Sequence, residues 1–194
     1  MANKIKYGLK SLYFAPITTF DAETGAPTYG TPVRIPGAVS LSLEPQGDNT
    51  PFYADNVVYW VGAANNGYEG DLEVALIPDE FKTAILGYVT DGAGVLVEDA
   101  GAESKHFALM FQFEGDEKAT RHVMFNCTAT RTSAGSTTKG ESVEPQTETV
   151  TITATSVYNA ALQKDIVKAS TNSESQQTAY NSWFTAVYAP TAAS

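Results

Sequence analysis

The chain has 194 residues, of which 43% are hydrophobic and only 18% charged, and its formal net charge is −10. Twelve basic residues are scattered through it without a cluster, so it lacks the basic face that grips DNA phosphates or docks on an anionic membrane. A lone cysteine, Cys127, excludes an internal disulfide framework and a thiolate metal cage. This length suits one domain, or one domain with extensions, and is enough to bury a sizeable core. No run approaches the ~20 apolar residues of a spanning helix. The N-terminal MANKIKYGLKSLYFAP holds no long apolar segment of the signal-peptide kind. The expectation is a soluble protein made in a cytoplasm.

Residues 5–16 read as a first strand, with Leu12 and Phe14 on one side and Leu9, Ser11 and Tyr13 on the other. DAETGAPTYG, residues 21–30, is turn chemistry. A second strand is expected over 35–44, with Val39, Leu41 and Leu43 on one face and Ser40, Ser42 and Glu44 opposite. Residues 45–67, PQGDNTPFYADNVVYWVGAANNG, are rich in Gly, Asn, Asp and Pro at both ends and aromatic in the middle. A stretch that long without its own fold is uncommon and usually functional. It reads as a projecting arm whose apolar centre, Phe52, Tyr53, Val57, Tyr59 and Trp60, is covered by something else. An ordinary core strand with long turns is the plainer alternative.

The most informative stretch follows, GYEGDLEVALIPDEFKTAILGY from Gly67 to Tyr88. Tyr68, Gly70, Leu72, Val74 and Leu76 share one parity, and Glu69, Asp71 and Glu73 the other, which gives a strand one apolar and one acidic face. Pro78 stops that strand and suits the start of a helix, where Asp79 and Glu80 meet the exposed N–H groups. Phe81, Ala84, Ile85 and Tyr88 recur at helical spacing, and Gly87 is placed to end the helix. Phe81 and Ile85 are the expected anchors of a lid on the sheet.

A Gly/Asp/Glu-rich connection with a short VLV strand spans 90–104. Residues 105–114 alternate with Phe107, Leu109, Phe111 and Phe113 inward. EGDEK makes a hairpin turn, and the return strand, 119–130, sets Val123, Phe125 and Cys127 on one face. Residues 134–146 form a polar loop. Residues 147–159 form the cleanest strand, with Val150, Ile152 and Ala154 alternating with threonines. Residues 162–175 are ambiguous and partly linker-like. A last helix is expected over 178–188, where Tyr180, Trp183, Phe184, Val187 and Tyr188 make one apolar stripe before Pro190. The expected fold is therefore mainly β: an antiparallel β-sandwich or partly closed barrel with a flanking short helix and a C-terminal helix, all in a single domain over 1–194.

The chemistry is sparse. The only histidines, His106 and His122, share the parity of polar neighbours and are expected to face solvent. The nucleophile elbow, the P-loop and the dinucleotide fingerprint are absent. The carboxylates of Glu69, Asp71 and Glu73 point the same way with no apolar pocket to raise a pKa, so they make a poor acid–base pair. Asp91 and Asp116 lack a calcium-loop signature. No catalytic, cofactor or metal site is expected.

The order KIKYGLKSLYFAPIT, YGTPVRIPGAVSLSLEP, an aromatic YADN arm, GYEGDLEVALIPDEFKTAILGY and a closing NSWFTAVYAP resembles the major tail (tail tube) protein of long-tailed bacteriophages with non-contractile tails. The resemblance spans nearly the whole chain and is weakest over 162–175. It implies a β-sandwich subunit of the virion, made in the host bacterial cytoplasm. Six copies join edge to edge into a ring, and rings stack into a tube around a tape-measure protein, with tail-terminator and tail-tip proteins as further partners. Genomic DNA passes through without specific binding, and no membrane binding is implied. The arm residues Phe52, Tyr53, Val57, Tyr59 and Trp60 would reach a neighbouring ring. Glu69, Asp71 and Glu73 would face the bore, or else outside solvent, since strand parity sets a face but no radial direction. Phe81, Ile85, Trp183 and Phe184 would anchor the helices. The competing expectation is a carbohydrate- or receptor-binding sandwich that uses Tyr53, Tyr59 and Trp60.

Overall fold

The computed structural model describes residues 5–138, 145–174 and 177–192. Strand β1 (Tyr7–Phe20) runs past the expected end at residue 16 and carries a bulge. Between the pairs Lys10↔Gln112 and Tyr13↔Met110 it holds one residue too many, and Ser11 takes a left-handed φ of 53°. The extra residue reverses parity, so Leu9 packs in the same core as Leu12 and Phe14 rather than opposite them. Two short strands, β2 (Pro27–Tyr29) and β3 (Val33–Arg34), pair with β1 after a turn in which the Asp21 carboxylate accepts the N–H groups of Glu23 and Thr24.

Strand β4 (Ala38–Gln46) repeats the lesson. A bulge between Ala38 and Ser40 turns Val39 outward, away from the Leu41 and Leu43 with which simple alternation groups it. The chain then forms β5 (Asn49–Ala54) and β6 (Val57–Ala63), joined by the two-residue turn Asp55-Asn56, both at positive φ. That backbone matches the twist of tight hairpins. Strand β7 (Gly67–Val74) returns against β4, so β4–β5–β6–β7 is one long ribbon whose outer half leaves the sheet. Leu76, expected on the apolar face, is exposed because the strand ends at Val74 and the backbone bends.

Helix α1 (Asp79–Ala84) starts after Pro78 in extended conformation, with Asp79 and Glu80 in its first turn, and Gly87 at φ 77° ends the turn that follows it. Two residues each suffice for β8 (Val89–Thr90) and β9 (Leu96–Val97), which pair as a small hairpin. Strands β10 (Phe107–Glu114), β11 (Arg121–Ala129) and β12 (Glu148–Thr155) complete the main sheet. The strand expected over 147–159 breaks after Thr155, and its last residues form β13 (Val157–Asn159), which pairs with β14 (Lys164–Ile166); β14 and strand β15 (Lys168–Thr171), paired to β11, occupy the stretch that reads as linker. Of the polar loop, residues 139–144 lie outside the described residues; so does Ser175 at the end of the ambiguous stretch.

The last helix, α2 (Gln177–Ser182), is half the expected length. Ser182 turns its hydroxyl back to the Thr178 carbonyl, and Thr185 donates to the Ser182 carbonyl, local bonds that compete with helix continuation. Among the described residues no helix is long and apolar enough to cross a membrane.

The main sheet runs β2-β1-β10-β11-β12-β7-β4, antiparallel throughout. It curls until β4 packs over β1 without a ladder between them, so it forms a sandwich and not a closed barrel. Inside lie Leu12, Phe14, Leu72, Val74, Phe107, Leu109, Val150 and Ile152, lidded by Phe81 and Ile85 of the α1 turn. A second core sits on the other face of β1, β10 and β11, where Ala108, Met110, Val123 and Phe125 are covered by Val157 and Trp183. Strand β10 is thus buried on both faces, which is why its apolar run is nearly continuous. Cys127, expected beside Val123 and Phe125, points into the first core instead, because β11 gains a residue between Met124 and Cys127.

Candidate functional site

Three surfaces stand out once the cores are filled. The first is the ribbon. Phe52, Tyr53, Val57, Val58, Tyr59, Trp60 and Val61 are all about half exposed or more, on both faces of a two-stranded sheet; Tyr59, bulged opposite Phe52 and Tyr53, reaches 73%. Two-stranded ribbons are marginal by themselves, and scattered apolar exposure is ordinary, whereas a contiguous exposed apolar patch is uncommon. The ribbon contains Asp48 and Asp55 and no basic residue.

The second surface is an acidic ladder. Register places Ser40, Ser42 and Glu44 of β4 beside Glu73, Asp71 and Glu69 of β7, with Thr149, Thr151 and Thr153 of β12 on the other side. Ser40 and Thr147 donate hydroxyl hydrogen bonds to Glu73 at 2.9 and 2.6 Å, and Thr151 donates to Asp71 at 2.8 Å. The Thr147 hydroxyl, then that of Ser40, holds the Glu73 carboxyl below its ordinary range, so it stays ionised. The backbones approach closely here: a Cβ on Gly70 would fall 1.8 Å from the Ser42 carbonyl oxygen. This face is a wall of fixed negative charge set among hydroxyls.

The third surface escaped sequence reasoning. The sandwich is lidded by α1 at one end and open at the other, where a 320 Å³ mouth is lined by Lys6, Tyr68, Phe111, Phe113, His122 and Lys168 among others. Lys6 lies 4.7 Å over the Phe113 ring and Lys168 4.4 Å over the Tyr68 ring. His122, expected to face solvent, stacks on Phe111 at 5.2 Å and is partly buried; burial first, then the charges of Lys6 and Lys168, holds its pKa below the ordinary value. The lining comes from β1's approach, β4, β7, β10, β11 and β15, which no local pattern links, and no signal along the chain brings Lys6 and Lys168 together.

The expected anchors sit as follows. Phe81 meets Phe14 and Phe107 edge to face at 5.0 and 5.4 Å, and Ile85 is fully buried. Trp183 is buried just beyond α2, stacked on Tyr188, with its indole N–H donating to the His122 carbonyl at 3.3 Å. Phe184 stacks on Tyr13 at 5.0 Å, and the Arg121 guanidinium lies between the Tyr180 and Phe184 rings while donating to the Tyr180 carbonyl. His106 is bonded to the Asn126 side chain at 2.7 Å, edge-on to Phe20. Among the described residues no three His, Cys, Asp or Glu side chains converge to hold a metal.

The ribbon, the acidic ladder and the open mouth are all carried by a mainly β protein, a sandwich of antiparallel strands with two short helices. A family model described as phage tail tube protein matches residues 2–192, and the chain belongs to that family. Its role is accordingly a structural one in the tail of a phage virion. A search of curated proteins gave no match.

Proposed function

We propose that the whole chain acts as one tail tube subunit, that six copies close into a ring, and that stacked rings enclose the channel through which genomic DNA leaves. The observation that carries this reading is the ribbon: it extends the β4–β7 ladder beyond the sandwich and leaves aromatic side chains on both faces without cover. Phe52, Tyr53, Val57, Tyr59 and Trp60 then contact the neighbouring ring. The outer edge of β4 lacks a strand partner among the described residues. Ring closure satisfies such an edge, which otherwise invites aggregation.

Glu69, Asp71 and Glu73 face the bore in this reading. DNA carries about one negative charge per ~1.7 Å of axis. Fixed carboxylates repel it only within about 8 Å at physiological salt, so a wall of them prevents sticking without blocking passage. The tape-measure protein fills the bore before ejection, and terminator and tail-tip proteins close its ends.

The test is replacement of residues 47–66 by a two-residue Asn-Gly turn, which joins the paired Gln46 and Gly67 of β4 and β7 as a tight hairpin. The variant keeps its thermal unfolding transition, and negative-stain microscopy shows no tubes; full-length tubes from it refute the stacking role. Reversing Glu69, Asp71 and Glu73 to Lys slows DNA ejection from assembled particles, and ejection at the normal rate removes these residues from the bore.

A further inference from the structure

We propose that the open mouth of one copy receives the β8–β9 hairpin of a copy in the next ring, so that rings meet head to tail through a basic aromatic socket and an acidic valine-bearing tip. The inference rests on the stacked-ring reading above and names the two surfaces that meet.

The socket is positive in a protein of net charge −10. Its lining contains Lys6 and Lys168 and no carboxylate, and among the described residues neither lysine forms an ion pair; His122 beside them, its pKa lowered by burial and by the two lysines, adds no charge at neutral pH. Each lysine is instead poised over a ring at the rim. Inside the rim the walls are aromatic, Phe111 and Phe113, so an occupant with both apolar and anionic groups fits.

The tip has that composition. Val89, Val95 and Val97 are 59%, 55% and 47% exposed, and Asp91, Asp99 and Glu103 are exposed around them. Of the nearby cations, Arg131 is engaged by Glu98 at 3.3 Å and Lys82 lies 3.8 Å from Asp79; Lys105 is exposed. The hairpin is pre-set for docking. The Asp91 carboxylate accepts the N–H groups of Ala93 and Val95 at 2.9 and 2.8 Å, Tyr88 donates to Glu98 at 3.0 Å, and Arg131 donates to the Ala100 carbonyl at 3.0 Å.

Tip and socket lie at opposite ends of the sheet. Lys105 N–H donates to the Ile85 carbonyl beside α1, just before β10 begins, whereas Phe113 lies near the far end of that strand, about 20 Å beyond Phe107 at the rise of an extended strand. A contact that joins opposite ends is heterologous and propagates instead of closing. The alternatives fail on charge: socket to socket sets lysines against lysines, and tip to tip sets aspartates against aspartates.

Charge reversal tests the pairing. Lys6→Glu with Lys168→Glu, and separately Asp99→Lys with Glu103→Lys, which leave the Asp91 carboxylate in place to hold the turn, should each cut the sedimenting tube fraction about tenfold with the monomer's thermal transition unchanged, and all four together should restore it. Tubes at the wild-type level from either pair overturn the proposal. The second arm is disulfide trapping, for which Cys127 is silent because it is buried. Val95→Cys with Lys168→Cys should give a covalent ladder of copies from assembled tubes. Tubes without that ladder, or a ladder from Asn56→Cys with Lys168→Cys in its place, assign the socket to another occupant and overturn the proposal. Wild-type protein that forms no rings or tubes with its tail partners sinks the stacked-ring reading itself, and this inference with it.

Discussion

Replacing Trp183 with alanine tests how the C-terminal segment is held. Trp183 is 2% exposed and closes the second core over Ala108, Met110, Val123 and Phe125. Truncating a buried Trp to Ala costs about 3–5 kcal/mol, from lost transfer energy and the cavity left behind. The stack on Tyr188 at 5.2 Å, worth ~0.5–1.5 kcal/mol, and the indole N–H to the His122 carbonyl both go with it. A loss near 4 kcal/mol is therefore expected. For a chain of this size each kcal/mol moves Tm by ~2–4 °C, which gives a drop of about 8–16 °C. Thermal unfolding of the purified monomer by circular dichroism reads it directly, with Phe184→Ala as comparator. Phe184 is only half-buried, so its loss should be smaller. A drop under about 2 °C for Trp183→Ala would show that the C-terminal segment contributes nothing to the cooperative unit and would refute the second core as a source of stability.

Gly70→Ala should cost about 1–3 kcal/mol in denaturant unfolding, since its Cβ would meet the Ser42 carbonyl oxygen on the neighbouring strand; a neutral result contradicts the close β4–β7 approach. Burial pushes the Cys127 thiol up to about 12, so a thiol reagent at pH 8 should label it only after unfolding, and prompt labelling of native protein places it elsewhere. His122 titrates below its ordinary 6.5 in the folded chain, so the unfolded chain takes up that proton first. Stability then falls as pH drops from 6.5 towards the folded value and levels off below it. Urea midpoints measured across that window should show a smaller fall for His122→Gln than for wild type, and parallel curves exclude His122 as the cause.

Much of the architecture was legible in the chain. Alternation over β7, β10 and β12, the Pro78 stop, the Asp79–Glu80 start and the Gly87 end are local signals, and local geometry obeys them. The aromatic arm between turn-rich flanks also emerges as a ribbon, since Asp55-Asn56 suits a two-residue turn. What alternation misses is the single inserted residue. Ser11, Val39 and the segment before Cys127 each sit at a bulge, and one extra residue reassigns every side chain beyond it to the other face. Likewise, the apolar stripe after Tyr180 satisfies helical spacing, but Trp183 and Phe184 reach their partners from the turns beyond a short helix.

By itself, then, the sequence determined the strand-rich class, the acidic face of β7, the helix that follows it and the absence of a basic grip, because each depends on neighbours a few residues apart. Only the tertiary structure decided which carboxylates stand beside which hydroxyls, how far the ribbon leaves the sandwich, and that Lys6, His122 and Lys168 share one mouth. Those juxtapositions come from strands separated by up to 162 positions, from Lys6 to Lys168, and are set by sheet order and bulges, which no window along the chain contains.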